Sequence, residues 1–280
     1  MTQDKIIQDR DYYLPFRQLA PSKRIVLEDP EGPFSPARIK TQEGLFDALI
    51  FRLITQASPL LINKKLVCFG SPAAFQDATK ERDPHYFCKA HATGQHSRTR
   101  NIPYINTYWK HAEDWVAYTN QTNVTLEDLL TWFTGHEVDG TRFFGMGNLV
   151  GWLLASDYAY AGLVATPDAS EVGEIIFKID AGGKDALELL GFDVRNKEAC
   201  GQAMSCLWDT VRAQFLPAEI SKMGLEPITL EHALCKFKRL NKNCISMVRS
   251  DFCHTKLKLM SFLTQPRITN LSIYIDRMYV

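Results

Sequence analysis

The stretch Phe143-Phe144-Gly145-Met146-Gly147 constrains this chain most, because it joins an apolar pair to a tight glycine turn and then to a helical run at residues 149–160. A Gly-x-Gly turn needs backbone that no side chain obstructs, and the amides opening the next helix can face an anion. The spacing supports that helix: Leu149, Leu153, Ser156 and Tyr160 fall on one face, with Val150, Leu154 and Asp157 beside it. Asp157 is therefore expected on the inner side, where a carboxylate is costly unless it is paired or working. The pattern reads as a helix–hairpin–helix, an element that positions a protein on nucleic-acid phosphate without reading sequence. The alternative is a helix-entry turn that holds no ligand.

A chain of 280 residues can bury a large core, as one large domain or two closely packed lobes. Its formal charge is zero, so a nucleic-acid partner must be met by a local basic face. Such a face is available between Leu230 and Arg267, where Lys236, Lys238, Arg239, Lys242, Arg249, Lys256, Lys258 and Arg267 stand against Glu231 and Asp251. It reads either as a solvated helix face or as a phosphate-tracking surface. The amino terminus lacks the apolar centre of a signal peptide, and the longest apolar run is too short to span a bilayer. The seven cysteines include no Cys-x-x-Cys, which suits reduced, mostly buried thiols in the cytoplasm, with no membrane partner.

Residues 1–40, broken by Pro15, Pro21, Pro30, Pro33 and Pro36, read as an irregular arm. Residues 41–265 read as one helical domain with its hairpin at 143–160, and residues 266–280 as a tail. The first helix is expected over 42–55, where Leu45, Leu49 and Leu53 share a face and Ala48 and Arg52 lie next to them. Residues 60–69 fit helix or strand equally. Thr125-x-x-Asp128 predicts a capped helix start, and Thr229-x-x-His232 repeats the pattern. Gly182-Gly183-Lys184 reads as a second glycine turn ahead of a helix, and 197–215 as a further helix. Only 174–179 and 271–275 alternate as strands do. The fold class expected is mainly α with little β.

His85, Cys88, His91 and His96 have residue types that suit zinc, but not the spacing of a standard finger, so an ordinary basic loop is the competing account. No metal and no cofactor are expected. Neither a phosphate-binding P-loop, Gly-x-Ser-x-Gly nor His-Glu-x-x-His occurs, which disfavours the common kinase, hydrolase and zincin chemistries.

What remains is the hairpin with Asp157, the Gly182-Gly183-Lys184 turn and the segment carrying Leu234-Cys235-Lys236. In order and spacing these resemble the alpha-glutamyl/putrescinyl thymine pyrophosphorylases of bacterial viruses with hypermodified DNA, relatives of the helical domain of hydroxymethyluridine DNA kinases, over residues 125–240. Asp180-Ala181 departs from the expected Pro-Gly before the glycine turn. The resemblance implies a helix–hairpin–helix, DNA glycosylase-like helical fold. It also implies a transferase that replaces the pyrophosphate on a 5-hydroxymethyluracil base in DNA with an amine from an amino acid or polyamine. The base would be flipped into a pocket, Asp157 would serve as general base, and His232 would orient or shuttle a proton. Lys184, Lys236, Arg98 and Arg100 would meet the leaving pyrophosphate. DNA would lie on Gly145, Gly147 and Asn148, with Arg98, Arg100, Lys236, Lys238 and Arg239 on its backbone.

Two rival readings start from the same hairpin. A monofunctional helix–hairpin–helix DNA N-glycosylase would use Asp168, after Pro167, although the continuation Ala-Ser-Glu-Val differs from the usual Thr-His-Val. A non-catalytic DNA-binding module would use only the hairpin and the basic segment.

Overall fold

The computed structural model describes residues 20–80, 99–137, 140–180 and 182–241; it is mainly helical, and these residues form two compact units, 20–166 and 167–241. The boundary between the two units falls at the Thr166–Pro167 junction, within the stretch 41–265.

In the first unit, α1 (Pro21–Leu27) replaces part of the expected irregular arm. Pro21 sits at the first helical position, where a missing N–H costs nothing, so this proline starts a helix rather than breaking one. Successive turns follow, with the amides of Gly32, Ser35 and Arg38 bonded to the carbonyls of Asp29, Gly32 and Ser35. Val26, Phe34 and Ile39 are buried, which makes this segment core. Next comes α2 (Gln42–Ile50), capped by Thr41, whose hydroxyl accepts from the Gly44 amide at 3.0 Å. It runs directly into a π turn at Phe51–Thr55, and every residue from Gly44 to Gln56 is buried.

The ambiguous 60–69 stretch divides into α3 (Pro59–Lys64), capped by Ser58, and an irregular segment. That segment is tied to α2 by Asp47: its Oδ1 accepts from the amides of Phe69 at 2.9 Å and Gly70 at 3.2 Å, and its Oδ2 from Arg38 at 2.7 Å. After α4 (Pro72–Thr79) and a 3-10 turn at Thr99–Tyr104 come α5 (Ile105–Ala112), which packs on α2, and α6 (Trp115–Thr119). Trp115 lies at the centre of the aromatic core, its ring 5.6 Å from Phe133 and 4.9 Å from Tyr158, while its indole N–H donates to the Ile39 carbonyl at 2.9 Å.

Thr125 caps α7 (Leu126–Thr134) in the reciprocal arrangement its sequence predicts, with Asp128 returning the bond to the Thr125 amide. A two-stranded antiparallel ladder, β1 (His136–Glu137) and β2 (Gly140–Thr141), then leads to α8 (Asn148–Tyr160).

The second unit contains α9 (Ala169–Ile179), α10 (Gly182–Leu189), α11 (Lys197–Arg212), α12 (Pro217–Met223) and α13 (Pro227–Asn241). The strand expected over 174–179 is instead the second half of α9. Val172, Ile175, Ile176 and Ile179 recur at helical spacing and are buried, and Asp168 with Glu171 caps the helix reciprocally. The strand expected over 271–275 lies outside the described residues. Thr229 does not start a helix: α13 begins at Pro227, and the Thr229 hydroxyl donates back to the Gly224 carbonyl at 2.9 Å. The glycine pair 182–183 is likewise the first turn of α10 and not a turn before it.

The crossing of α9 over α11 is set by Gly173 and Gly201. A Cβ on Gly173 would lie 2.3 Å from the Cys200 carbonyl oxygen, and one on Gly201 would lie 2.8 Å from the Ser170 hydroxyl. Gly173→Ala is therefore expected to lose about 1–3 kcal/mol by overpacking, read from urea unfolding; an unchanged midpoint would refute the close crossing.

A second prediction concerns Asp47. Burial pushes its carboxyl from 3.8 up to about 6, against the lowering bonds from Phe69, Arg38 and Gly70. The folded chain thus holds this proton more tightly than the unfolded one. The stability linked to it is full below about pH 3.8 and is lost as pH rises through about 6. Asp47→Asn should flatten that part of the stability profile, and a carboxyl chemical-shift titration should place the midpoint near 6.

Candidate nucleic-acid contact and buried carboxylate

The turn before α8 is held by two apolar anchors. Phe143 and Met146 are buried, and the Met146 amide bonds to the Phe143 carbonyl at 3.0 Å. The Tyr108 hydroxyl donates to the Phe144 carbonyl at 2.7 Å, and the Phe144 ring stacks on Tyr104 with centroids 3.9 Å apart. Between the anchors Gly145 adopts φ +83°, a conformation that strains any other residue.

Gly147 is the N-cap of α8, in extended geometry and without a capping side chain. A Cβ placed there meets nothing within 4 Å. Gly147 and Asn148 are exposed, and the first turn of α8 contains no acidic residue. Gly147 and Asn148 thus stand, with Gly145 half-buried just before them, at the start of a thirteen-residue helix whose N-cap makes no side-chain hydrogen bond.

Helix α8 itself is buried on every side from Val150 to Ala159, so the single inner face expected from the sequence becomes a central helix. It approaches α7 closely at Gly151, where a Cβ would lie 2.6 Å from the Thr134 methyl. Asp157 lies within this helix with no exposed surface. Lys23 of α1 pairs with its Oδ1, and Arg52 of the π turn reaches Oδ2 through Nε and Nη2. Arg52 also donates to Gln56 at 3.0 Å and lies over the Phe51 ring, 5.0 Å from its centroid.

Both oxygens of Asp157 therefore face cations, and it is closed to solvent. This corrects the picture of an available base. Its immediate work is to bind α1, the π turn and α8 together. The Lys23 partner was missed because it stands in a proline-rich segment read as irregular. Arg52 had a signal in its place beside the apolar face of α2.

The other candidates lie in the second unit. Lys184 pairs with Asp180 at 2.7 Å and sits 4.7 Å from the Phe177 ring centroid; the Asp180 carboxylate holds its ammonium above the usual value. His232 is buried, its Nε2 3.6 Å from Glu231. Glu231 also accepts from the Cys235 thiol at 2.9 Å.

The resemblance placed the glycine pair near Leu234-Cys235-Lys236, and these segments do meet: a Cβ on Gly182 would lie 3.2 Å from the Cys235 sulfur and one on Gly183 would lie 3.0 Å from Glu231 Oε1. The start of α10 is thus packed against the protein's own carboxylate, which is favourable at a helix N-terminus. Lys236 is buried and Lys238 pairs with Asp185, so these two cations do not form an open phosphate face. Asp168 is occupied in capping the Glu171 amide at 2.9 Å.

Arg98, the His85, Cys88, His91 and His96 group, and the basic residues beyond Asn241 lie outside the described residues, as do the side chains of Arg100 and Arg239. Among the described residues no cluster of His, Cys, Asp and Glu could hold a metal, and no helix is long and apolar enough to cross a membrane. Cys68, Cys200, Cys206 and Cys235 are free thiols, and burial pushes the Cys68 thiol up to about 11. No family model, characterised protein or solved structure matches this chain.

The buried triad generates a stability prediction. Asp157→Asn leaves two cations facing a neutral amide and should cost about 3–5 kcal/mol. Adding Lys23→Met should recover part of that loss. Chemical denaturation of the single and double variants measures both, and additive losses would show that Lys23 and Asp157 are not coupled.

Proposed function

We propose that this chain engages DNA through the turn at Gly145, Gly147 and Asn148 and serves as an amino acid or polyamine:DNA transferase of helix–hairpin–helix kind. The observation that carries the DNA contact is the exposed start of α8: a glycine N-cap, open space at its Cβ position and no acid in the first turn. A phosphate can approach the amides there without meeting a side chain. The transfer reading rests on the order of the motifs along residues 125–240.

In that reaction the amine nitrogen attacks the methylene carbon of the pyrophosphorylated 5-hydroxymethyl base. A C–N bond forms, the C–O bond breaks, pyrophosphate leaves with the electron pair, and the nitrogen gives up its proton to solvent water. Asp157 enters as a positioning residue, since its carboxylate is engaged by Lys23 and Arg52. By fixing α8 it fixes the turn at that helix's start. The engagement of Asp157, Lys184 and His232 within the protein favours a second reading, a DNA-binding module without chemistry of its own.

Gly147→Asp separates binding from folding. An aspartate at this N-cap should stabilise the chain by a few tenths of a kcal/mol, while its charge should lower duplex affinity by about tenfold or more at fixed salt. Thermal unfolding and fluorescence anisotropy measure the two effects; unchanged affinity would remove the turn from the DNA contact. Incubation of the unaltered protein with DNA carrying the pyrophosphorylated base, amino acids and polyamines then tests the chemistry. An amine adduct in the nucleoside mass spectrum supports transfer, free base or abasic sites support a glycosylase, and unchanged nucleosides with retained DNA support the binding module.

A further inference from the structure

A cleft of about 310 Å³ lies within the first unit, between Lys40, the loop after α6 and the segment after α8. Leu129, Leu163 and Val164 supply an aliphatic wall, and Lys40, Gln121 and Asn123 are exposed polar residues at its edge. None of these three side chains has a partner among the described residues. Among the described residues no carboxylate lines the cleft.

Part of the backbone around it is already satisfied. The amides of Asn120 and Gln121 close on Val116 and Tyr118, and those of Ala161, Gly162 and Leu163 on Asp157, Ala159 and Tyr158. Across the cleft the start of α7 is closed by Thr125 and Asp128. The side chains at the cleft offer one cation, two carboxamides and an apolar wall.

We propose that this cleft binds a small aliphatic carboxylate, with its carboxylate on the Lys40 ammonium, hydrogen bonds from the Gln121 and Asn123 amides, and its hydrocarbon against Leu129, Leu163 and Val164. A single lysine matches a monoanion, whereas a phosphate dianion would leave charge uncompensated. The absence of an acid from the lining rejects a polyamine, and the aliphatic wall offers no ring on which a nucleobase would stack. The inference stands independently of the DNA reading, because none of its residues belongs to the turn at Gly145–Asn148.

The test uses the full chain, isotopically labelled, with 4-methylpentanoate, its neutral amide and putrescine as probes in separate NMR titrations. The carboxylate should shift the resonances of Leu163 and Val164, with the amide about tenfold weaker and putrescine inactive. Lys40→Met should bring carboxylate and amide to equal affinity, and Ala165→Trp, a change at an exposed lining position, should block both. Absence of shifts at these residues at millimolar carboxylate, equal binding of acid and amide to the unaltered protein, or preference for putrescine would each overturn the proposal.

Discussion

Lys23, Arg52 and Asp157 form the contact on which the first unit depends. The three residues come from α1, the π turn and α8, and each is almost or wholly without exposed surface. Charges removed from water in this way are tolerable only when each is met at close range. The geometry that meets them therefore fixes the three segments relative to one another. An apolar contact among them could slide by a methylene at small cost; a carboxylate with a cation on each oxygen cannot. This explains how α8, buried around its whole circumference and hence without a single apolar face, still acquires one rotational setting.

Apart from turns such as the one at Gly145, glycine serves two contrasting purposes among the described residues. At Gly151 and Gly173 the missing Cβ lets neighbouring elements approach until a methyl group would collide, and at Gly182 and Gly183 a Cβ would fit only tightly. At Gly147 the space is empty. The distinction is physical: the first four positions are filled by the protein, whereas the last remains open at a helix start. The Gly182-Gly183-Lys184 and Gly145-Met146-Gly147 sequences look alike as letters, yet only the second presents its helix start to solvent.

Much of the fold was legible because local signals agreed with tertiary packing. Thr125-x-x-Asp128 and the leucine spacing in α2 are examples: capping and periodicity pointed to the same boundaries. The failures had particular causes. In 174–179 the β-branched residues suggested alternation, while the capping pair Asp168 and Glu171, set just upstream, identified a helix. Thr229 imitated a cap but stands inside α13, its hydroxyl returned to Gly224. At the candidate site, the turn and the buried Asp157 could be read from spacing, but the cations that occupy Asp157 could not. Arg52 could be placed beside the apolar face of α2, but its pairing with Asp157, like that of Lys23, is made across the fold and leaves no local pattern.

That long range has a consequence for synthesis. Arg52 and Asp157 are separated by 105 positions, so both cations leave the ribosome well before the carboxylate that neutralises them. Until α8 emerges, α1 and the π turn cannot close as they do in the finished unit without confining uncompensated charge. The two buried cations thus gain their counter-charge only once residue 157 is in place. Most contacts of this helical protein are local, so this pairing stands apart as one whose loop-closure cost is met before its attraction is gained.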